Sequence, residues 1–194
     1  RCVYAQVVAG RLDPVDVAKI DEHRGLAVLD RQPLQRRFGL FFHAFERGVN
    51  YFDSAEGYKG GDSETAIGEA LHAVRDRVYL TSKTKAGANT KRADMMTALE
   101  GSLRRLRLEH IDLYLLHWRG AVPLRDTVAG FERLQQRGLI RHWGVSNFDL
   151  DDMLELCEVP GGAACSANQV WYSLTQRGVE FDLLPWQRAR QVPL

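Results

Sequence analysis

A parallel α/β fold closed into a barrel is predicted by three observations. Apolar strands alternate with helical stretches, no G-x-G-x-x-G turn follows any strand, and polar residues stand at the carboxyl ends of several different strands. Runs rich in β-branched and apolar residues occur at Val49–Asp53, Val78–Lys83, Ile111–Trp118, Ile140–Phe148 and Ser166–Tyr172. Such runs read as strands covered on both faces, as in a parallel sheet. Without the dinucleotide turn the open doubly wound sheet loses its fingerprint, and polar strand ends are where barrels place chemistry. The expected architecture is a (β/α)8 barrel of TIM type, present in part, with about six βα units.

The helices follow in order. Leu34–Arg47 is helical, most clearly over Phe38–Arg47, with Gly25–Asp30 as a strand before it, whereas Arg1–Glu22 carries no readable pattern. Glu64–Ala73, Leu124–Arg137 and Leu150–Cys157 complete the alternation with Asp94–Leu108, where Met95, Leu99, Leu103 and Leu106 recur every three or four residues. Arg104, Arg105 and Arg107 read as the solvated face of that helix, and Gly138 suits a left-handed helix end. A full barrel takes about 250 residues, and this chain of 194 ends on Gln191–Leu194, which reads as the start of another strand. The expectation is a diverged segment, 1–33, followed by a partial barrel, 34–194, with its last strands missing. Open edges and poorly covered side chains such as Leu113–Leu116 then limit its stability.

Lys plus Arg is 26 against 25 Asp plus Glu, a net charge of +1, so no long-range field favours nucleic acid or an anionic membrane. Cys2, Cys157 and Cys165 form no C-x-x-C pair and no disulfide framework. There is no apolar run of about 18 residues and no signal-peptide pattern. The expected setting is the cytoplasm, with a small molecule as partner and neither nucleic acid nor membrane. No H-E-x-x-H or paired Cys/His spacing predicts a metal.

Asp53, Lys83 and His117 each close a strand and converge at one mouth if the barrel forms. Singly, each has a plain structural reading: a helix cap, a lysine in water, a histidine bonded to backbone. Together with Tyr58 they suggest acid catalysis. A phenol has a pKa of about 10; a neighbouring ammonium lowers it, and an anion keeps a buried ammonium charged. On this reading Asp53 holds Lys83 charged and Lys83 makes Tyr58 acidic, which suits proton donation to a carbonyl that accepts hydride, with His117 orienting the oxygen.

The stretches D-S-A-E-G-Y-K-G-G-D-S-E (Asp53–Glu64), T-S-K (Thr81–Lys83), I-D-L-Y-L-L-H-W (Ile111–Trp118), G-V-S-N-F (Gly144–Phe148) and N-Q-V-W-Y (Asn168–Tyr172) resemble the aldo-keto reductases, in order, from about Leu34 to Leu194. The resemblance implies NADPH-dependent reduction of a small aldehyde or ketone, without separating NADPH from NADH. It places Asp53, Tyr58, Lys83 and His117 on the catalytic tetrad, Tyr58 as general acid, and Ser146, Asn147 and Gln169 on the nicotinamide carboxamide. Ser146-Asn147 is also ordinary turn chemistry, and Gln169 equally suits a backbone partner. Trp118 and Trp143 fit either a substrate pocket or packing. The diphosphate-binding part of the family is expected to lie outside this chain, leaving weak NADPH binding; Lys85, Lys91 and Arg92 read as a solvated loop rather than a phosphate site. A second reading fits the same pattern: a non-catalytic shortened barrel acting as a regulatory or binding module or an inactive fragment; in a third, another chain supplies the missing strands.

Overall fold

The computed structural model describes residues 34–84 and 92–194. Within them a five-stranded sheet runs β1 (Tyr51–Asp53), β2 (Tyr79–Thr84), β3 (Ile111–Leu116), β4 (Ile140–Ser146) and β5 (Asn168–Gln169), paired in chain order and all parallel. Helix α1 (Leu34–Glu46) precedes the sheet; α2 (Asp62–Leu71), α3 (Arg92–Leu106), α4 (Leu124–Gln136) and α5 (Leu150–Glu158) are the crossovers, and α6 (Leu183–Ala189) follows β5. The sheet curls into half of an α/β barrel. The strand expected over Gly25–Asp30 lies outside the described residues, as do Lys85, Lys91 and the side chain of Arg92.

Several strands end earlier than the apolar pattern suggests, for a local reason. β4 stops at Ser146 because Asn147 turns into the left-handed region, φ 59°. β5 contracts from the expected Ser166–Tyr172 to two residues, although the Ser166 amide still donates to the Trp143 carbonyl at 2.9 Å. On its other side the Asn168 amide donates to the Pro193 carbonyl at 3.0 Å, so the last residues lie alongside β5. The buried Gln187 side chain holds them there, donating to the carbonyls of Val192 and Pro193.

The core lies between the sheet and its helices. Phe131 of α4 stacks on Trp143 of β4 with centroids 5.2 Å apart and meets Tyr114 of β3 edge-on at 6.2 Å. Met95, Leu99, Leu103 and Leu106 of α3 are buried in the same cluster. Each such side chain contributes about 1.5–3 kcal/mol relative to exposure. Trp143 is therefore a packing residue, not a rim residue. Leu113–Leu116, expected to be poorly covered, are buried along their whole length, in a central strand paired on both edges, by β2 and β4.

Arg105 of α3 and Arg107, just after its end, also depart from expectation. Arg105 reaches buried Glu64 of α2 at 2.7 Å and Arg107 reaches Glu69 at 3.0 Å, so they tie neighbouring helices together instead of facing only solvent. At the amino end of the sheet, buried Asp112 accepts from the Leu80 amide at 2.9 Å and from Arg75 at 2.8 Å, locking β2 to β3.

At Gly144 the backbone of β4 lies close against its neighbours. A Cβ there would strike the Ala167 carbonyl oxygen and sit 2.9 Å from Leu115 Cδ2. Gly144→Ala is expected to lower stability by about 1–3 kcal/mol through overpacking, read as a fall in the urea midpoint; an unchanged midpoint would show that β5 yields without cost.

Candidate active site

Strand alternation decides which polar residues meet. Tyr51, Asp53, Thr81, Lys83 and Leu115 share one face, as the 2.7 Å bond between Tyr51 Oη and Thr81 Oγ1 and the register Lys83↔Leu115 show. His117 follows β3 on the same alternation, held by its amide to the Thr84 carbonyl at 3.2 Å. The face opens at the carboxyl ends of the strands, and there Asp53, Lys83, His117 and Tyr58 come together.

Lys83 Nζ donates to Asp53 Oδ2 at 2.6 Å and to the Ser54 carbonyl at 2.8 Å. The lysine side chain is 1% exposed and that of Asp53 29%, so one end of the pair is dry and the other touches water. Tyr58 stands on the turn Tyr58–Gly61, whose Lys59, Gly60 and Gly61 all have positive φ. That turn returns the phenol ring over the strand ends, with Lys83 Nζ 5.1 Å from its centroid and the His117 ring edge-on at 5.6 Å.

The electrostatics correct one expectation. Burial, and then the Asp53 carboxylate, push the Tyr58 phenol up to about 12 instead of down. Burial disfavours the charged phenolate, and the 2.6 Å pair adds to it, because Asp53 offsets the ammonium charge that was expected to act on Tyr58. Tyr58 thus stays protonated across the physiological range. His117 moves the other way, lowered first by burial and then by Lys83, so its imidazole is neutral near pH 7 and offers one N–H donor.

His110 and His142 are also lowered, burial being the first cause in each. A histidine whose folded value lies below the ordinary 6.5 stabilises the fold above that value, and the contribution is lost as pH falls through the folded value. The melting temperature is therefore expected to drop on acidification below about 6.5; a flat profile down to pH 5 would contradict the lowered values.

The second group of residues meets at the ends of β4 and β5. Ser146 Oγ donates to the Gln169 carbonyl at 2.8 Å, and the Asn147 amide donates to the same carbonyl at 2.8 Å. The Asn147 side chain donates to the His117 carbonyl at 3.1 Å, and Gln169 Nε2 reaches Asp53 Oδ1 at 3.3 Å. The two groups are thus one connected site. Trp118 is 52% exposed and stacks beside His117 with centroids 6.4 Å apart. A cleft of about 470 Å3 opens next to Asn147, between the start of α5 and the segment after β5, and Trp171 lines it. Among the described residues no cluster of His, Cys, Asp and Glu is placed to hold a metal, and no helix is long and apolar enough to cross a membrane.

Sequence reasoning missed the Ser54 carbonyl, which no side-chain pattern reveals, and Glu64. The signal for Glu64 was present: it falls in register with Ile67 and Leu71 on the buried stripe of α2, an unusual place for a carboxylate.

This arrangement has known counterparts. Residues 30–194 match the Aldo/keto reductase family. Methylglyoxal reductase YeaE of Escherichia coli is 47% identical over 149 residues, covering 77% of this chain and 52% of that protein. Aldo-keto reductase YhdN of Bacillus subtilis is 32% identical over 159 residues, 77% of this chain and 47% of its own. An aldo/keto reductase from Klebsiella pneumoniae, crystallised with NADP and acetate, superposes with a TM-score of 0.80 at 42% identity over 82% of this chain and 56% of that one. The chain spans about half the length of the curated relatives it matches. With sequence, fold and match agreeing over most of its length, the chain belongs to the aldo/keto reductase family.

Proposed function

We propose that the protein bearing this chain reduces a small aldehyde or ketone with NADPH, Tyr58 acting as general acid. The observation that carries the reading is the convergence of Tyr58, His117 and the Lys83–Asp53 pair at one mouth of the sheet. The donors at that mouth fit the nicotinamide end of the cofactor. A carboxamide needs a donor and an acceptor side by side, and Ser146, Asn147 and Gln169 present neutral hydroxyl and amide groups there, next to the tetrad. When bound, the reduced nicotinamide supplies the hydride.

The chain's own residues handle the oxygen of the substrate. The neutral His117 imidazole donates its N–H and orients the carbonyl, and Tyr58 gives up its proton as negative charge develops on that oxygen. A phenol at about 12 is a weak acid, yet stronger than an aliphatic alcohol, which is about as weak an acid as water; transfer to the nascent alkoxide is still downhill. Buried Lys83 pairs with Asp53 at 2.6 Å, so the phenolate that forms does not face an unpaired carboxylate.

The test is NADPH consumption by the purified protein with methylglyoxal and a panel of small aldehydes, chosen because a 47% identical relative is a methylglyoxal reductase. Saturable consumption that depends on the carbonyl is expected. Its absence across the panel, with NADH as well as NADPH, would remove the reading.

A further inference from the structure

We propose that Glu64 and Arg105, acting through Ser82, form a positioning unit that fixes the Tyr58 turn and the Lys83 strand end; the inference rests on the carbonyl-reducing reading of the site. Glu64 is buried without residual exposure on the first turn of α2. One of its oxygens accepts from the Ser82 hydroxyl, and the other accepts from Arg105 Nε at 2.7 Å. Ser82 directly precedes Lys83, so the carboxylate grips β2 one residue from the ammonium, from the side opposite to Asp53.

The same arginine reaches the turn that carries Tyr58. Its stem crosses Gly61: a Cβ at that position would lie 2.6 Å from Arg105 Cδ, and φ +103° there independently favours glycine. The turn between Tyr58 and α2 is thus closed over the arginine that neutralises Glu64. A further tie joins the strands to this helix start, Ser54 Oγ donating to Ser63 Oγ at 2.9 Å, while the Ser54 carbonyl accepts from Lys83. Tyr58 and Lys83 therefore share one clamp on the helix side of the sheet, away from any substrate. A buried ion pair is a weak source of stability compared with apolar packing, and fixing geometry is its better use.

The expected consequence is on catalysis more than on binding. A loosened turn lets the phenol drift, and displacements near 1 Å cost up to about 100-fold in rate. Glu64→Gln, Arg105→Met and the milder Ser82→Ala are expected to lower kcat by about tenfold with KM for the carbonyl changed by less than about twofold. A second readout needs no turnover: the His117 resonance, assigned with His117→Gln, followed by NMR against pH. Loosening the Tyr58 edge and Lys83 admits water to His117 and moves its titration toward 6.5. Lower melting temperatures with unchanged kcat and unchanged His117 titration would overturn the inference, leaving the pair a structural tie. If Glu64→Gln does not fold, Ser82→Ala, which keeps the ion pair, decides between the same two results. If the wild-type protein reduces no carbonyl, the functional reading fails, while the His117 titration still decides whether the clamp positions the site.

Discussion

Replacing Tyr58 by phenylalanine is expected to lower kcat for carbonyl reduction by a factor of about 100 or more, the scale of a lost general acid. The substitution keeps the ring that meets His117 edge-on at 5.6 Å and lies 5.1 Å from Lys83 Nζ, and removes only the hydroxyl. Melting temperature and carbonyl KM should therefore stay near the wild-type values, which separates loss of chemistry from loss of structure. Because the phenol sits at about 12, the wild-type rate should not lose the Tyr58 proton anywhere near neutrality. Any limb of the pH–rate profile between about 5 and 8 belongs to a histidine, with His117 the one in the site. Steady-state kinetics of Tyr58→Phe settles the matter: near-native turnover would take Tyr58 out of the mechanism.

The second large effect is expected for Lys83→Met, which fills a similar volume without charge. Removing the ammonium leaves Asp53 and the Ser54 carbonyl without their donor at 2.6 and 2.8 Å. Breaking a fully buried pair costs about 3–5 kcal/mol. Asp53 is 29% exposed and keeps Gln169 Nε2 at 3.3 Å, so the stability loss should be smaller, about 1–3 kcal/mol. The larger effect is on rate, again about 100-fold or more, because the phenolate left by proton donation then faces the unpaired Asp53 carboxylate. The sign on His117 follows from its causes: Lys83 holds it down, so Lys83→Met should raise its titration toward 6.5. Denaturant titration together with a pH–rate profile tests both parts; a variant unchanged in both would show that the Asp53–Lys83–Tyr58 charges do not act together.

The strand-helix alternation and the residues that close each strand were legible before any coordinates, because buried parallel strands must be apolar throughout while their ends are free to be polar. That is why Asp53, Lys83 and His117 stand out in a linear reading, and why Tyr58, on a glycine-rich turn directly after a strand, falls beside them. Strand ends were less legible: the strand expected over Ile140–Phe148 runs past Ser146-Asn147, a pair that also suits a turn, and it is Asn147 in the left-handed region that stops β4 at Ser146.

Charge balance was decided by the tertiary structure alone. Residue types place an ammonium near a phenol, but only the packed structure shows that burial, and then Asp53 offsetting that ammonium at 2.6 Å, leave Tyr58 raised, not lowered. Electrostatic work depends on separation and solvent access, and neither is written in spacing along the chain. The same holds for the clamp behind the site. Glu64 and Arg105 lie 41 residues apart on different helices, and an arginine on an amphipathic helix reads as solvated until the packing of α2 on α3 brings a buried carboxylate within 2.7 Å. Sequence determined which groups this protein owns and on which elements they ride; packing decided which of them share a charge.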